Sequence, residues 1–243
     1  MFKNYLDKNR DINYRPELDG LRAIAVIAVI INHFNDNFLK SGYLGVDIFF
    51  VISGFLITLS LQSKENKSFW EFLSGFYSRR IKRLLPALIF YVLLSSIFIS
   101  FFDINPVASL RTGLASLFGI SNLYLIKIST DYFASSTDLN IFTHTWSLGV
   151  EEQFYFLFPL LIWVSGFSRK TRKGDTNLLV ITLSLSIVSI ILFSSFYYNN
   201  QPAAYFLMPT RFWEMAAGSI TFLIIQKKNI VFKNIPEIIP TIT

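Results

Sequence analysis

Seven apolar blocks of similar length constrain this chain more than any other feature. They cover 18–36, 43–61, 84–102, 110–126, 147–165, 177–196 and 206–225. A helix rises about 1.5 Å per residue and a bilayer's hydrocarbon core is about 30 Å thick, so about 20 residues cross it. The block 177–196 carries no charged residue. A soluble core could not accommodate so many blocks that are apolar on every face. Composition agrees: the chain is 52% hydrophobic, and 16% charged where soluble domains are nearer a quarter. The expected fold class is all-α, a polytopic transmembrane helix bundle seated in the lipid bilayer.

Charge placement gives the topology. Lys3, Lys8, Arg10 and Arg15 precede the first block. Lys64, Lys67, Arg79, Arg80, Lys82 and Arg83 lie between the second and third. Arg169, Lys170, Arg172 and Lys173 precede the sixth, and Lys227, Lys228 and Lys233 follow the seventh. Cytoplasmic loops carry the Lys and Arg excess, so all four groups belong on the cytoplasmic side, the N-terminus included. Three blocks separate Arg83 from Arg169, and an even number must cross. The weakest is 110–126, flanked by Arg111 and Lys127 and holding Gly113, Ser116, Gly119, Ser121 and Asn122. Polar backbone at that depth is tolerated only inside protein or beside a water-filled cavity. The expectation is therefore about six full crossings plus one re-entrant or interfacial segment, in the cytoplasmic (inner) membrane, with 128–146 outside. The first apolar stretch follows acidic and basic residues and has no small-residue cleavage site, so it is expected to be kept as a span. The net charge of +6 sits in the connections and gives no reason to expect a nucleic-acid partner. Without cysteine, and with two distant histidines, no metal site is expected.

Ionisable side chains inside spans are costly and mark function by default. The first block holds Asp19, Arg22 and His33. Eleven residues come within about 20° of three full turns, so Arg22 and His33 share a face, about 16 Å apart. Snorkelling of Arg22 and an interfacial His33 would explain them equally well. The second block brings Asp47 to the depth of His33, where a carboxylate could orient an imidazole as a general base. The fifth block opens on His144, followed by Glu151 and Glu152. Adjacent residues point about 100° apart, so only one acid faces a given cavity squarely. Glu151 is the favoured one, the other being a helix N-terminal charge. The run Arg79, Arg80, Lys82, Arg83 is either a topology anchor or an anion site whose guanidinium forks grip phosphate.

Several ordered stretches resemble the acyltransferase-3 family of membrane O-acyltransferases. They are 14–23 with His33, then 42–58 around Asp47, then the basic run before Pro86. The stretch 144–155 and the sequence Arg211-Phe212-Trp213-Glu214 leading to Gly218 follow. The opening looks most like the subgroup that carries a C-terminal SGNH domain. The resemblance implies transfer of an acyl group, usually acetyl, from cytoplasmic acetyl-CoA to a hydroxyl of an envelope carbohydrate. Lipopolysaccharide O-antigen, peptidoglycan and exopolysaccharide are the acceptors it suggests. It assigns His33 as catalytic base and Arg22 as its partner. It assigns Arg79, Arg80 and Arg83 to the donor, with Asp47, His144 and Glu151 at motif positions of less settled role. It also implies that residues 1–243 are a membrane domain lacking the family's last helices and the SGNH partner. Two other readings stay open: a transporter, since intramembrane charges also mark ion paths, and an inactive remnant of such an enzyme.

Overall fold

The computed structural model describes residues 16–35, 37–62, 68–128 and 140–227, and among these the regular elements are all helices. In chain order they are α1 (Pro16–Phe34), α2 (Gly45–Gln62), α3 (Phe69–Phe102), α4 (Val107–Leu117) and α5 (Ser121–Ile128). Then come α6 (Trp146–Ser165), α7 (Gly174–Asn199), α8 (Gln201–Phe206) and α9 (Met208–Lys227). Short 3-10 turns at Gly42–Leu44 and Thr143–Thr145 lead into α2 and α6. The expectations that rest on Lys3, Lys8, Arg10, Arg15, Lys64, Lys67, Lys228, Lys233 and most of 128–143 fall outside the described residues.

Local chemistry sets the ends. Ser68 accepts a hydrogen bond from the Glu71 amide at 3.2 Å and caps α3, while Asn200 caps α8 through the Ala203 amide at 3.2 Å. Gly166, at φ 80°, ends α6 in the left-handed conformation that glycine adopts without strain. Three helical stretches are long and apolar enough to cross a membrane: Gly42–Gln62, Phe69–Phe102 and Gly174–Asn199. In the most apolar stretch of α3 only 11% of residues are buried inside the protein. A water-soluble bundle would bury that surface, whereas a lipid-facing helix presents it to the acyl chains. The buried charged residues Arg211 and Glu214 both lie on α9.

The block 110–126 is not one helix. It breaks at Gly119, φ +67°, into α4 and α5, which at 11 and 8 residues are each too short to span. Their polar residues are satisfied within protein. Ser116 Oγ lies 2.6 Å from Thr145 Oγ1, and Ser121 Oγ donates to Thr145 O at 2.8 Å. Asn122 Nδ2 donates to Phe206 O at 2.9 Å, and Gln153 Nε2 to Asn122 Oδ1 at 2.8 Å.

The tightest crossing joins α2 and α9, which run in the same direction. A Cβ on Gly54 would fall 1.7 Å from Met215 O, and one on Gly218 would fall 1.8 Å from Val51 O. Only glycine lets the two backbones approach so closely. Around this crossing Phe50, Phe154, Phe158, Phe212 and Met215 form the core with α6. At one end of the bundle Phe69 and Phe72 at the start of α3 pack on Trp163 near the end of α6. Arg169 lies over the same Trp163 ring, so the run 169–173 sits at the end where α3 starts, with 79–83 about three to four turns further along α3. The other end holds the turn from α1 into α2, fastened by Asn32 Nδ2 donating to Leu39 O at 2.9 Å.

Candidate functional site

Opposite the basic end, side chains from α1, α2, α6, α7, α8 and α9 line a cavity of about 1600 Å³. His33, Asp47, His144 and Glu151, chosen from the sequence on separate grounds, all face it. Arg211 and Glu214 from α9 complete its charged wall.

His33 Nδ1 lies 2.9 Å from the Val29 carbonyl one turn earlier. A carbonyl only accepts, so Nδ1 carries the hydrogen, and in the neutral ring the lone pair is on Nε2. Asp47 was expected to orient this imidazole, and it does not. Its Oδ1 accepts from Arg211 Nη1 at 3.0 Å, and the same Nη1 lies 2.5 Å from Glu214 Oε1. The correction has a plain cause. Arg211 is 7% exposed, and a guanidinium so buried demands a carboxylate more strongly than a neutral imidazole does. The α2–α9 glycine contact brings the two together. Arg211 Nε also donates to Tyr205 O at 3.1 Å, and the guanidinium sits 4.6 Å from the Tyr205 ring centre. Glu214 is 1% exposed, and its Oε2 has no hydrogen-bond partner among the described residues.

Arg211 and Glu214 were read from the sequence only as part of a family-like stretch, not as site residues. The signal was present: they are two ionisable residues in the apolar block 206–225, the criterion that singled out Asp47.

Glu151 forms the inner wall of the cavity. Ser53 Oγ donates to its Oε1 at 2.9 Å and Tyr155 OH to its Oε2 at 2.9 Å. Glu152 is not among the cavity-lining residues, and its Oε1 is buried without a hydrogen-bond partner among the described residues. His144, in the turn ahead of α6 and outside the spanning helix, packs edge-on against Tyr91 at 5.6 Å. Loss of water around it, and secondarily the charge of His33, lower its pKa below the usual histidine value.

The remaining candidates lie deeper. Arg22 is not among the cavity-lining residues; it lies 3.7 Å from Asp19, and its Nε is buried without a hydrogen-bond partner among the described residues. Its charge and that of Arg80 both bear on Glu151. Arg79 and Arg83 are exposed, whereas Arg80 turns inward, its guanidinium 3.7 Å from the Tyr155 ring centre. Among the described residues no cluster of three or more acids and histidines could hold a metal ion.

Fold and site together define a helical membrane protein built around a charged cavity. Within that class, residues 15–229 match the acyltransferase-3 model, described as an acyltransferase domain, and the chain belongs to that family. It is 38% identical over 217 residues to the O-acetyltransferase OatA of Staphylococcus aureus, covering 88% of this chain and 35% of that protein. It is 36% identical over 208 residues to the peptidoglycan O-acetyltransferase OatA of Listeria monocytogenes, covering 84% of this chain and 33% of that one. The chain thus spans about a third of the length of the curated relatives it matches. No solved structure matches it.

Proposed function

We propose that this chain is the acyl-transferring membrane part of an O-acyltransferase. It takes an acyl group, acetyl in the first instance, from acetyl-CoA at the basic end and delivers it to an envelope-carbohydrate hydroxyl in the cavity. The printed name of the Listeria monocytogenes relative favours peptidoglycan over lipopolysaccharide as the acceptor. In this reading the basic end is cytoplasmic, α1, α2, α3, α6, α7 and α9 make six crossings, and α4–α5 is a re-entrant pair. Residues 1–243 form one membrane domain that works with the further helices and SGNH domain of longer family members.

The observation that carries the reading is His33. It lines the cavity with Nδ1 held by the Val29 carbonyl, which leaves Nε2 as the basic atom. A sugar hydroxyl is a poor nucleophile at neutral pH, and a positioned base contributes about 10²–10⁴ in rate. Nε2 would take the hydroxyl proton as the oxygen attacks the acyl carbonyl, and CoA would leave as the thiol. Arg211, fixed between two carboxylates, holds the cavity wall. The basic run supplies cations for the donor's phosphates.

The test is acetyl transfer from labelled acetyl-CoA to acceptor in membranes carrying the full-length protein. His33→Gln keeps a hydrogen-bonding side chain without a proton-accepting nitrogen. It should lose about two orders of magnitude or more in rate while keeping its expression level. Transfer at the wild-type rate by that variant would remove His33 from the chemistry.

A further inference from the structure

The run 79–83 is not one site. Arg79 and Arg83 are exposed, while Arg80 enters the bundle between α3 and α6. There its guanidinium lies 3.7 Å from the centre of the Tyr155 ring and 6.0 Å from that of Phe76. Tyr155 is 2% exposed, and its hydroxyl donates at 2.9 Å to Glu151, which lines the cavity. Ser53, 3% exposed, closes the other carboxylate oxygen from α2. A continuous line of contacts therefore runs from the cavity through Glu151 and Tyr155 to Arg80. Arg22 and Glu152 flank it, and Arg80's charge bears on both acids.

We infer that Arg80, with Tyr155 and Glu151, is a polar lock across the cavity floor, and that the donor's phosphates are gripped by Arg79 and Arg83 alone. The inference rests on the proposed transfer between the two ends. A guanidinium stacked on a buried aromatic ring has one face covered and is less free to fork onto a phosphate. Arg79 and Arg83 are exposed. The acyl-bearing arm of the donor must pass this floor to reach His33, so the lock separates the compartments until the donor is seated. Arg80 is thus a positioning residue, acting through Tyr155 and Glu151.

The chain has no cysteine, so one introduced thiol reports cleanly. Ser147→Cys places it in the cavity and Lys170→Cys marks the basic end. Sealed vesicles of both orientations, carrying the full-length protein, are treated with a membrane-impermeant maleimide. The Ser147→Cys thiol should react from the His33 side and be protected from the basic side. Adding Tyr155→Phe or Arg80→Ala should speed its basic-side reaction about tenfold or more, and Arg80→Lys should largely restore protection. Tyr155→Phe keeps the ring packing but removes a buried hydrogen bond, so the thermal midpoint of each variant is read alongside, and faster basic-side reaction at an unchanged midpoint is the expected result. Equal basic-side reaction with and without these changes would overturn the lock. If instead the Ser147 and Lys170 thiols react from the same face in every background, the two-ended reading itself fails. In parallel, Arg79→Gln and Arg83→Gln should each weaken CoA binding about tenfold in a salt-sensitive way, with Arg80→Gln within about twofold of wild type. A loss at Arg80 equal to that at its neighbours would return it to the donor site.

Discussion

Substituting Gly218 by alanine tests whether the α2–α9 crossing holds the charged wall together. The added methyl would lie 1.8 Å from the Val51 carbonyl oxygen, and such a carbon does not sit closer than 3.0 Å. Subtracting 1.8 from 3.0 leaves about 1.2 Å by which the helices must part. The obstacle is backbone, which cannot rotate aside as a side chain would. Overpacking of this kind costs typically about 1–3 kcal/mol, and a main-chain clash belongs at the upper end. The same two helices carry Asp47 and Arg211, paired at 3.0 Å. A parting of that size stretches the pair well past hydrogen-bonding distance. Gly218→Ala should therefore lower the thermal midpoint of the detergent-purified protein and reduce acyl transfer together. Gly54→Ala, whose methyl would meet Met215 O at 1.7 Å, should do the same. The double variant should fall short of additive, since one separation relieves both clashes. An unchanged midpoint in Gly218→Ala would show that the helices do not cross this closely.

Other expectations follow from the charges and polar contacts. Arg211→Gln strands two carboxylates in the bundle and should cost about 3–5 kcal/mol, read as a loss of folded protein in a denaturation series. Glu214→Gln should be milder than Arg211→Gln, because one guanidinium still faces one carboxylate; the reverse order would refute the charge count. His144 has a lowered pKa in the folded protein, so the unfolded chain takes up a proton first as pH falls through the ordinary value of 6.5. The stability it confers is present above that pH and lost below it, so His144→Gln should flatten the acid side of a thermal-midpoint profile between about pH 7 and pH 5. Asn122→Leu removes the side-chain bonds to Phe206 O and Gln153 and should loosen the α5–α6 contact, seen as faster proteolysis of the α4–α5 pair.

The bundle was legible because lipid imposes a crude rule, about twenty apolar residues per crossing, which composition alone can meet. That 110–126 is a weak crosser was legible for the opposite reason, although its break into two helices at Gly119 was not. Gly119 and the buried Ser and Asn residues would be intolerable in lipid, and they are tolerable here because Thr145, Gln153 and Phe206 receive them. The gathering of His33, Asp47, His144 and Glu151 at one cavity followed from depth, since the end of α1 and the starts of α2 and α6 lie at the same end of the bundle. Pairing was another matter. Depth places Asp47 near His33 but says nothing of α9, which comes 164 residues later and takes the carboxylate. Nothing in the spacing of 79–83 tells which arginine turns inward, because that depends on where Tyr155 of α6 lies against α3.

The two charged clusters differ in a way that bears on mechanism. At the cavity wall, one arginine serves two carboxylates, Asp47 and Glu214. At the floor, Arg80 stacks on Tyr155, whose hydroxyl donates to Glu151. A membrane protein retains such groups only where they are partnered, because each stranded charge is costly in low dielectric. The wall thus holds Arg211 between two carboxyl groups in the cavity that His33 also lines. Acidic groups on that wall would favour the imidazolium that forms when Nε2 accepts a proton, without a hydrogen bond to it. Glu214→Gln separates this electrostatic role from packing, since it removes an ionisable group and keeps the side chain's shape. If the wall assists the base, that variant should slow transfer while leaving CoA binding and the thermal midpoint close to wild type. A rate that tracks the midpoint alone would leave the wall with a purely structural part.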